Sequence, residues 1–237
     1  MKKNLLIIIP VYNEQSNIKP IVLKIFKEIK RKVNILFIDD NSQDKTRSQI
    51  YLSKKKYKEI YLIKRGSKLG IGSAHKCGLK WGYLKKYKTI VTMDCDGTHH
   101  PKYIIKMLNT VKKNNFDIIS TNRFLKKNSL KGWTLWRKYF TILRHAVIKF
   151  LLNINYDSSG AYRCYNVKKV KLNHILLARD NGYSFFWQSI FLLHKKRYKI
   201  FEIPIDLPPR SHGSSKMKLK DIVSALFYLL VFYFKDH

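Results

Sequence analysis

The sequence predicts an α/β protein built on a largely parallel sheet, and three observations carry that prediction. Short aliphatic or β-branched runs recur through the first half, as in Leu5-Leu6-Ile7-Ile8-Ile9 and Thr89-Ile90-Val91-Thr92-Met93; they are too short for helices and read as buried strands. Between them apolar residues repeat at helical spacing, so strands alternate with helices, the pattern of a parallel sheet covered by helices. Several runs also end on carboxylates, Asp39-Asp40 and Asp94-Cys95-Asp96 among them. The carboxyl ends of strands are where open α/β sheets bind ligands.

In chain order, Leu5 to Val11 is the first strand. Asn13-Glu14-Gln15-Ser16 turns into a helix carrying Ile18, Ile21, Val22, Ile25, Phe26 and Ile29. Val33 to Ile38 is the second strand and Glu59 to Lys64 the third, followed by the loop Arg65-Gly66-Ser67-Lys68-Leu69-Gly70 and a helix through Lys85. The fourth strand is Thr89 to Met93, and Pro101 marks the start of the next helix. Phe116 to Thr121 is the fifth. The second half differs: Trp133 to Asn153 reads as one long helix, with Trp136, Phe140, Leu143, Val147, Ile148 and Leu151 interleaved with Arg137, Lys138, Arg144 and Lys149. A polar link, Tyr156 to Gly160, precedes a short strand, a helix from Ser184 to Lys195, a strand from Ile200 to Ile205 and a basic loop from Pro208 to Lys216. Ile222 to Phe234 is nearly all apolar but shorter than the roughly 20 residues a bilayer crossing needs. With Lys216, Lys218 and Lys220 before it, this stretch suits a membrane surface; a core or subunit-contact helix is the alternative.

With 237 residues and 45% hydrophobic content, the chain can bury a full core. Forty-eight Lys and Arg against 15 Asp and Glu leave a formal charge of +33, which attracts anions such as nucleotides, acidic head groups or nucleic acid without choosing among them. Runs such as Lys54-Lys55-Lys56 equally fit a compositional bias on solvated faces. Cys77, Cys95 and Cys164 are odd in number, have no metal-ligand spacing, and fit a reducing compartment. The amino-terminal apolar run is short and leads into Pro10 without a cleavage site, so no secretion signal is expected.

Asp94 and Asp96 sit one residue apart at a strand's end. Two hard oxygen donors there suit a divalent cation that keeps waters and shares phosphate oxygens, although Asp-x-Asp also occurs in ordinary turns. Gly70-Ile71-Gly72 lacks the third glycine of a dinucleotide fingerprint and follows the wrong strand. His99 and His100 have no partner at zinc spacing, which leaves capping or supporting roles. The Lys-aromatic clusters at 85–88 and 195–199 match no RNA-binding module, and nucleic acid is not an expected partner.

Taken together, eight motifs in order resemble the dolichol-phosphate mannosyltransferase branch of the inverting family 2 glycosyltransferases. They are Ile7-Ile8-Ile9-Pro10-Val11-Tyr12-Asn13-Glu14, Ile38-Asp39-Asp40-Asn41-Ser42-Gln43-Asp44, Lys68 to Ala74, Met93 to Pro101, Arg123-Phe124, Asp157 to Arg163, Glu202-Ile203-Pro204 and Arg210 to Lys216. The resemblance implies a GT-A fold: a Rossmann-like nucleotide-sugar-binding sheet flanked by helices, with a membrane-associated C-terminal helix on the acceptor side. It implies a catalytic domain over residues 1–215 and a basic, apolar helix over 216–237. Pro10, Tyr12, Glu14, Asp40, Lys68, Cys95 and Lys216 would bind the nucleotide-sugar together with Asp94 and Asp96. Those two aspartates, with Thr98, would hold Mg²⁺ or Mn²⁺ on the diphosphate, where a metal neutralises the leaving group's charge. Arg123 and Arg210 would grip the acceptor phosphate, for which a planar guanidinium is suited. Asp94, Asp96, Arg123 and Arg210 are thus the expected catalytic residues.

The reaction so implied moves a hexose, mannose first, from a nucleotide-sugar such as GDP-mannose to a polyprenyl phosphate. A phosphate arrives already ionised, whereas an attacking sugar hydroxyl needs a carboxylate base. Here Gln188 stands where that branch usually has glutamate, and Asp180 is the nearest acid. Gly97 and Thr98 depart from the usual residues after the second aspartate, and Asn122-Arg123-Phe124 keeps the arginine of a different triplet. Relatives with transmembrane helices carry them after the catalytic domain; this chain is expected to meet its lipid at the cytoplasmic face of a membrane, docking on lipid or on a small anchoring subunit. The rivals are transfer to a sugar hydroxyl of a polysaccharide and a non-catalytic basic module binding nucleic acid or membrane.

Overall fold

The computed structural model describes residues 4–30, 32–213 and 219–236. Strands β1 (Leu5–Val11), β2 (Asn34–Asp39), β3 (Ile60–Lys64) and β4 (Thr89–Thr92) alternate with helices α1 (Gln15–Glu28), α2 (Thr46–Lys56) and α3 (Ile71–Leu84). Then follow α4 (Lys102–Asn114), β5 (Ile118–Asn122), α5 (Leu135–Leu152), β6 (Arg163–Asn166), α6 (Leu172–Leu176), α7 (Ser184–Lys195), β7 (Ile200–Pro204) and α8 (Leu219–Asp236). The seven strands form one sheet in the order β3-β2-β1-β4-β6-β5-β7.

Strand β1 is central, and its alternation supplies both cores. Leu5, Ile7, Ile9 and Val11 face α1 and α4, packing with Ile18, Ile21, Val22, Ile25, Ile104 and Met107. Leu6 and Ile8 face α3 and α7, packing with Ala74, Leu79, Phe185 and Phe186. Because both faces are covered, β1 reads as an uninterrupted aliphatic run. Truncating one of these side chains, such as Ile8, costs about 2–5 kcal/mol. Helix α7 is buried on almost every side because it lies between two layers. Phe185, Phe186 and Leu193 meet the sheet, whereas Trp187, Ile190 and Phe191 meet α5 and α8 through Ile148, Leu152 and Leu229.

The parallel sheet is interrupted once. Strand β6 inserts between β4 and β5 and runs antiparallel to both. The chain leaving β5 therefore re-enters the sheet from the same, carboxyl, end, which keeps α5 at that end instead of sending it across a face. Two helices, α2 and α6, have little sequence signal: α2 buries only Thr46 and Ile50, and α6 is five residues long.

Helix α5 has an inner stripe, Thr141, Ile148 and Leu152, and a broad outer surface of exposed Leu135, Trp136, Tyr139, Phe140, Ile142, Leu143 and Phe150. Helix α8 packs by Leu229, Tyr228 and Phe232 and exposes Leu226, Phe227, Leu230 and Phe234. Among the described residues no helix is long and apolar enough to cross a membrane. The expected boundary between residues 215 and 216 lies outside the described residues, as does Lys216.

Candidate active site

The carboxyl ends of β1, β2 and β4 open on a cleft of about 620 Å³. It is lined by Pro10, Tyr12 and Glu14 from the first strand's end, Asp40 from the second, Lys68 from the loop after β3, and Asp94, Cys95 and Asp96 from the fourth. Arg210 closes it from the segment after β7. Nine residues expected from the sequence to bind donor or act in catalysis thus converge, although up to 200 positions separate them.

At one end Asp40 is almost wholly buried, and its oxygens accept the amides of Leu69 and Gly70, both at 2.9 Å. Arg65 Nη1 lies 3.0 Å from Asp40 Oδ1. The carboxylate therefore fastens the 68–70 loop, which holds Lys68 Nζ 3.8 Å above the Tyr12 ring, a cation–π contact. The Gly70-Ile71-Gly72 glycines serve packing. A Cβ on Gly72 would lie 2.6 Å from both Gly182 O and Phe185 Cβ, so the start of α3 can press against the 181–185 segment only without side chains.

In the middle of the cleft, Asp96 Oδ1 accepts from Thr98 N at 3.1 Å and Thr98 Oγ1 at 2.6 Å, and Asp96 Oδ2 faces Arg210 Nη1 at 3.2 Å. Arg210 Nη2 also donates to Glu14, which Asn17 Nδ2 holds at 2.5 Å. Asp94, a third exposed, has its carboxyl raised to about 7 by burial and by the charge of Asp96. His99 Nδ1 accepts the Asp94 amide at 2.9 Å, and the ring stacks on Tyr162 at 4.8 Å. Burial pushes His99 down to about 4, so it is the neutral imidazole, an acceptor at Nδ1 that shapes the carboxylate loop. That is the supporting role its spacing suggested. Burial raises the Cys95 thiol well above its ordinary value, so it stays protonated.

Thr98 differs from expectation: it does not line the cleft, and its hydroxyl and amide are spent on Asp96. It orients the Asp96 carboxylate. Gly97 has φ +84°, and a Cβ there would collide with the Ser211 hydroxyl, while Ser211 N donates to Asp96 O at 2.9 Å. Glycine is thus what lets the Arg210 segment close on the carboxylate loop. Gly97→Ala is expected to cost about 1–3 kcal/mol in denaturant unfolding.

The two carboxylates fit a divalent cation. Mutual repulsion and burial already disfavour two negative charges, as the Asp94 shift shows, and a cation between them relieves both. Among the described residues no group of three or more His, Cys, Asp and Glu could hold a metal ion. A cation here would complete its shell with water and phosphate oxygens.

Arg123 does not line the cleft. It is buried, and its amide and Nε donate to Asp157 Oδ2 at 3.1 and 2.7 Å. Two arginines with no role assigned from the sequence join it from α5. Arg144 is lowered to about 10 by burial and by Arg123, and its Nε is buried without a hydrogen-bond partner. Arg137 packs 3.6 Å from the Trp133 ring centroid, and burial lowers it within the fields of Asp96, Arg210 and Arg123. Helical spacing gave α5, but only the antiparallel return of β6 brings its cations to this end. Gln188 is fully buried outside the cleft, where its Oε1 accepts the Asp180 amide at 3.1 Å. Two further acids line the cleft, Asp180 and Asp221, the latter arriving on α8.

The profile of a family described as Glycosyl transferase family 2 matches residues 6–171. Polyprenol monophosphomannose synthase of Mycolicibacterium smegmatis is 28% identical over 224 residues, covering 94% of this chain and 84% of that protein. Undecaprenyl-phosphate mannosyltransferase of Micrococcus luteus is 27% identical over 213 residues, covering 90% and 86%. Among solved structures, glucosyl-3-phosphoglycerate synthase from Mycobacterium tuberculosis in complex with Mn²⁺, UDP and glucosyl-3-phosphoglycerate has a TM-score of 0.63 at 15% identity, over 98% of this chain and 80% of that one. Its complex with Mg²⁺ and UDP has a TM-score of 0.65 at 15% identity, over 98% and 79%. At that identity the likeness shows the fold, the GT-A arrangement of a sheet flanked by helices.

Proposed function

The chain belongs to glycosyl transferase family 2, and from that premise we propose that it transfers mannose, with inversion, from GDP-mannose to a polyprenyl phosphate at a membrane surface. The observation that carries the reading is the two-sidedness of α5. Its inner side carries Arg137 and Arg144 into the field of Arg123, a cluster of guanidiniums that runs from buried Arg123 to exposed Arg137 and suits a phosphate, and its outer side exposes seven large apolar residues suited to lipid. An acceptor with a phosphate head and a hydrocarbon tail matches both. The two mannosyltransferase relatives, named for polyprenol and undecaprenyl-phosphate chemistry, support the same acceptor class.

In this reading Tyr12, Lys68 and the loop fastened by Asp40 receive the nucleoside. Asp94 and Asp96 would hold Mg²⁺ or Mn²⁺, which supplies Lewis-acid neutralisation of the departing diphosphate. Arg210, which the resemblance pairs with Arg123 at the acceptor phosphate, lies in the cleft on Glu14 and Asp96, and in this reading it adds a fixed positive charge beside that diphosphate instead. Arg123, oriented by Asp157, and its α5 neighbours hold the acceptor phosphate so that one of its oxygens attacks the anomeric carbon from the face opposite the diphosphate. The phosphate oxygen is already ionised and needs no general base. The catalytic region over residues 1–215 acts from the cytoplasmic face, where three free cysteines are at home. Lipid is the docking partner, and a small anchoring subunit is the alternative.

The test is incubation of the purified chain with labelled GDP-mannose, Mn²⁺ and a short polyprenyl phosphate. Label should enter the organic phase; its absence with every common nucleotide-sugar overturns the reading. The membrane part is tested separately. Replacing Leu135, Trp136 and Phe140 by Ser should lower co-sedimentation with anionic vesicles by about tenfold or more. The residual binding should be more sensitive to salt than that of the unmodified chain.

A further inference from the structure

We propose that Glu202 is a positioning residue for the acceptor phosphate: acting through Asp157, it sets where the Arg123 guanidinium stands. This rests on the reading of Arg123 as an acceptor-phosphate residue and names the group that aims it. Glu202 does not line the donor cleft. It comes from β7, at the edge of the sheet, where a carboxylate ordinarily stands in water. Here it is half-buried, and burial raises it to about 7. The strand register explains its place. Ser120 on β5 pairs with Arg163 on β6 and with Glu202 on β7, so the three form one row on one face of the sheet. The charge of Arg163 favours the ionised form of Glu202, and the charge of Asp157 opposes it.

Both oxygens of Glu202 work on the segments that hold Arg123. Oε1 accepts the Asp157 amide and Oε2 accepts Asn122 Nδ2, each at 2.7 Å. Asn122 immediately precedes the arginine, and its Oδ1 accepts the amides of Phe124 at 2.7 Å and Leu125 at 3.2 Å, which shapes the turn that carries Arg123. Asp157 in turn accepts the Arg123 amide and Nε on one oxygen and Ser159 Oγ, at 3.1 Å, on the other. Glu202 therefore bridges the 122–125 turn and the 157–160 loop, whose relative placement fixes the guanidinium. Arg163 holds the same loop from the row beside it, its Nη2 donating to Ser158 O at 3.0 Å. A Cβ on Gly160 would lie 3.6 Å from Arg123 Nη2, so the loop runs alongside the group it aims. With Nε taken by Asp157, the Nη1 and Nη2 edge is the part of the fork left to a phosphate. Both partners of Glu202 are donors, so an amide at this position must turn its NH₂ against one of them.

The experiment measures transfer by the full chain from GDP-mannose, with Mn²⁺, to a short polyprenyl phosphate, varying each substrate in turn. Glu202→Gln should raise the acceptor KM by about tenfold or more and keep the GDP-mannose KM within about twofold. Adding Asn122→Asp exchanges donor and acceptor across that pair. The glutamine then donates to the aspartate and accepts the Asp157 amide, while the aspartate still accepts the amides of the turn. The acceptor KM of this double variant should return to within about threefold of the unmodified chain. A merely structural role would move both KM values or neither. If Glu202→Gln does not fold, Glu202→Asp takes its place: it keeps the charge, is one methylene too short to reach both donors, and should show the same split. An unchanged acceptor KM, an equal rise in both KM values, or no recovery in the exchanged pair overturns the inference and leaves the acceptor reading standing. Failure of the unmodified chain to transfer to polyprenyl phosphate would instead overturn that reading, and this inference with it.

Discussion

Asp96→Asn is expected to lower mannosyl transfer by about a hundred- to a thousandfold while the protein stays folded. Among the described residues, the groups that hydrogen-bond or pair with the Asp96 carboxylate are donors: Thr98 N and Oγ1 on one oxygen, Arg210 on the other. Whichever way the amide of asparagine turns, its NH₂ opposes one of those donors, and the charge that orients Arg210 and would hold a cation is gone. The measurement pairs a radiolabel transfer assay with thermal unfolding. More than about a tenth of the activity remaining would sink the assignment. The same variant separates the chemistry from simple polyanion binding. A basic module that only binds nucleic acid or anionic membrane should be indifferent to this change or bind slightly better.

Arg123→Leu should be the most destabilising single change at the acceptor end, by about 3–5 kcal/mol, because it leaves the Asp157 carboxylate buried without its counter-charge. Asp157 is 1% exposed, and among the described residues its cationic hydrogen-bond partner is Arg123. Burial alone raises this carboxyl, but the charge and two hydrogen bonds of Arg123 outweigh it, and the net shift is downward. A depressed folded value means that the stabilisation is present above the unfolded carboxyl's range, near pH 4, and is lost as pH falls through the lower folded value. The gap between Arg123→Leu and the unmodified protein in urea unfolding should therefore be large at pH 7 and should narrow as pH falls through the carboxyl range, beginning above about pH 4 because the variant's buried Asp157 takes up its proton first. Asp157→Asn combined with Arg123→Leu should recover part of the loss, since neither charge then remains buried alone. Arg123→Lys restores the charge without the fork; it should recover stability more than acceptor affinity.

Much of this fold is legible in the chain because its strongest elements are also its most buried. Leu5–Val11 is a strand because both of its faces are covered, and Ser184–Lys195 is a helix with few polar gaps because it lies between two layers. Weak elements escaped for the converse reason. Helix α2 presents only Thr46 and Ile50 to the core and ends in lysines, so its periodicity is faint. The direction of β6 has no local signal, since a four-residue strand pairs equally well either way and its orientation depends on where α5 returns the chain.

The opening residues of the cleft, Tyr12, Glu14, Asp40, Asp94 and Asp96, follow strand ends directly, so motif and strand pattern together were enough to find them. What the sequence by itself determined was the order of strands and helices, the carboxylates at strand ends and the arginines at 123 and 210. The elements and the strand-end carboxylates depend on contacts between near neighbours in the chain, and the two arginines are found through the motifs that carry them. Tertiary structure alone decided that Arg137 and Arg144 join Arg123, and that α8 brings Asp221 into the cleft. Each of these is a contact between elements distant in sequence, set by how α5, α7 and α8 pack on one another, and no spacing within a single element encodes that packing.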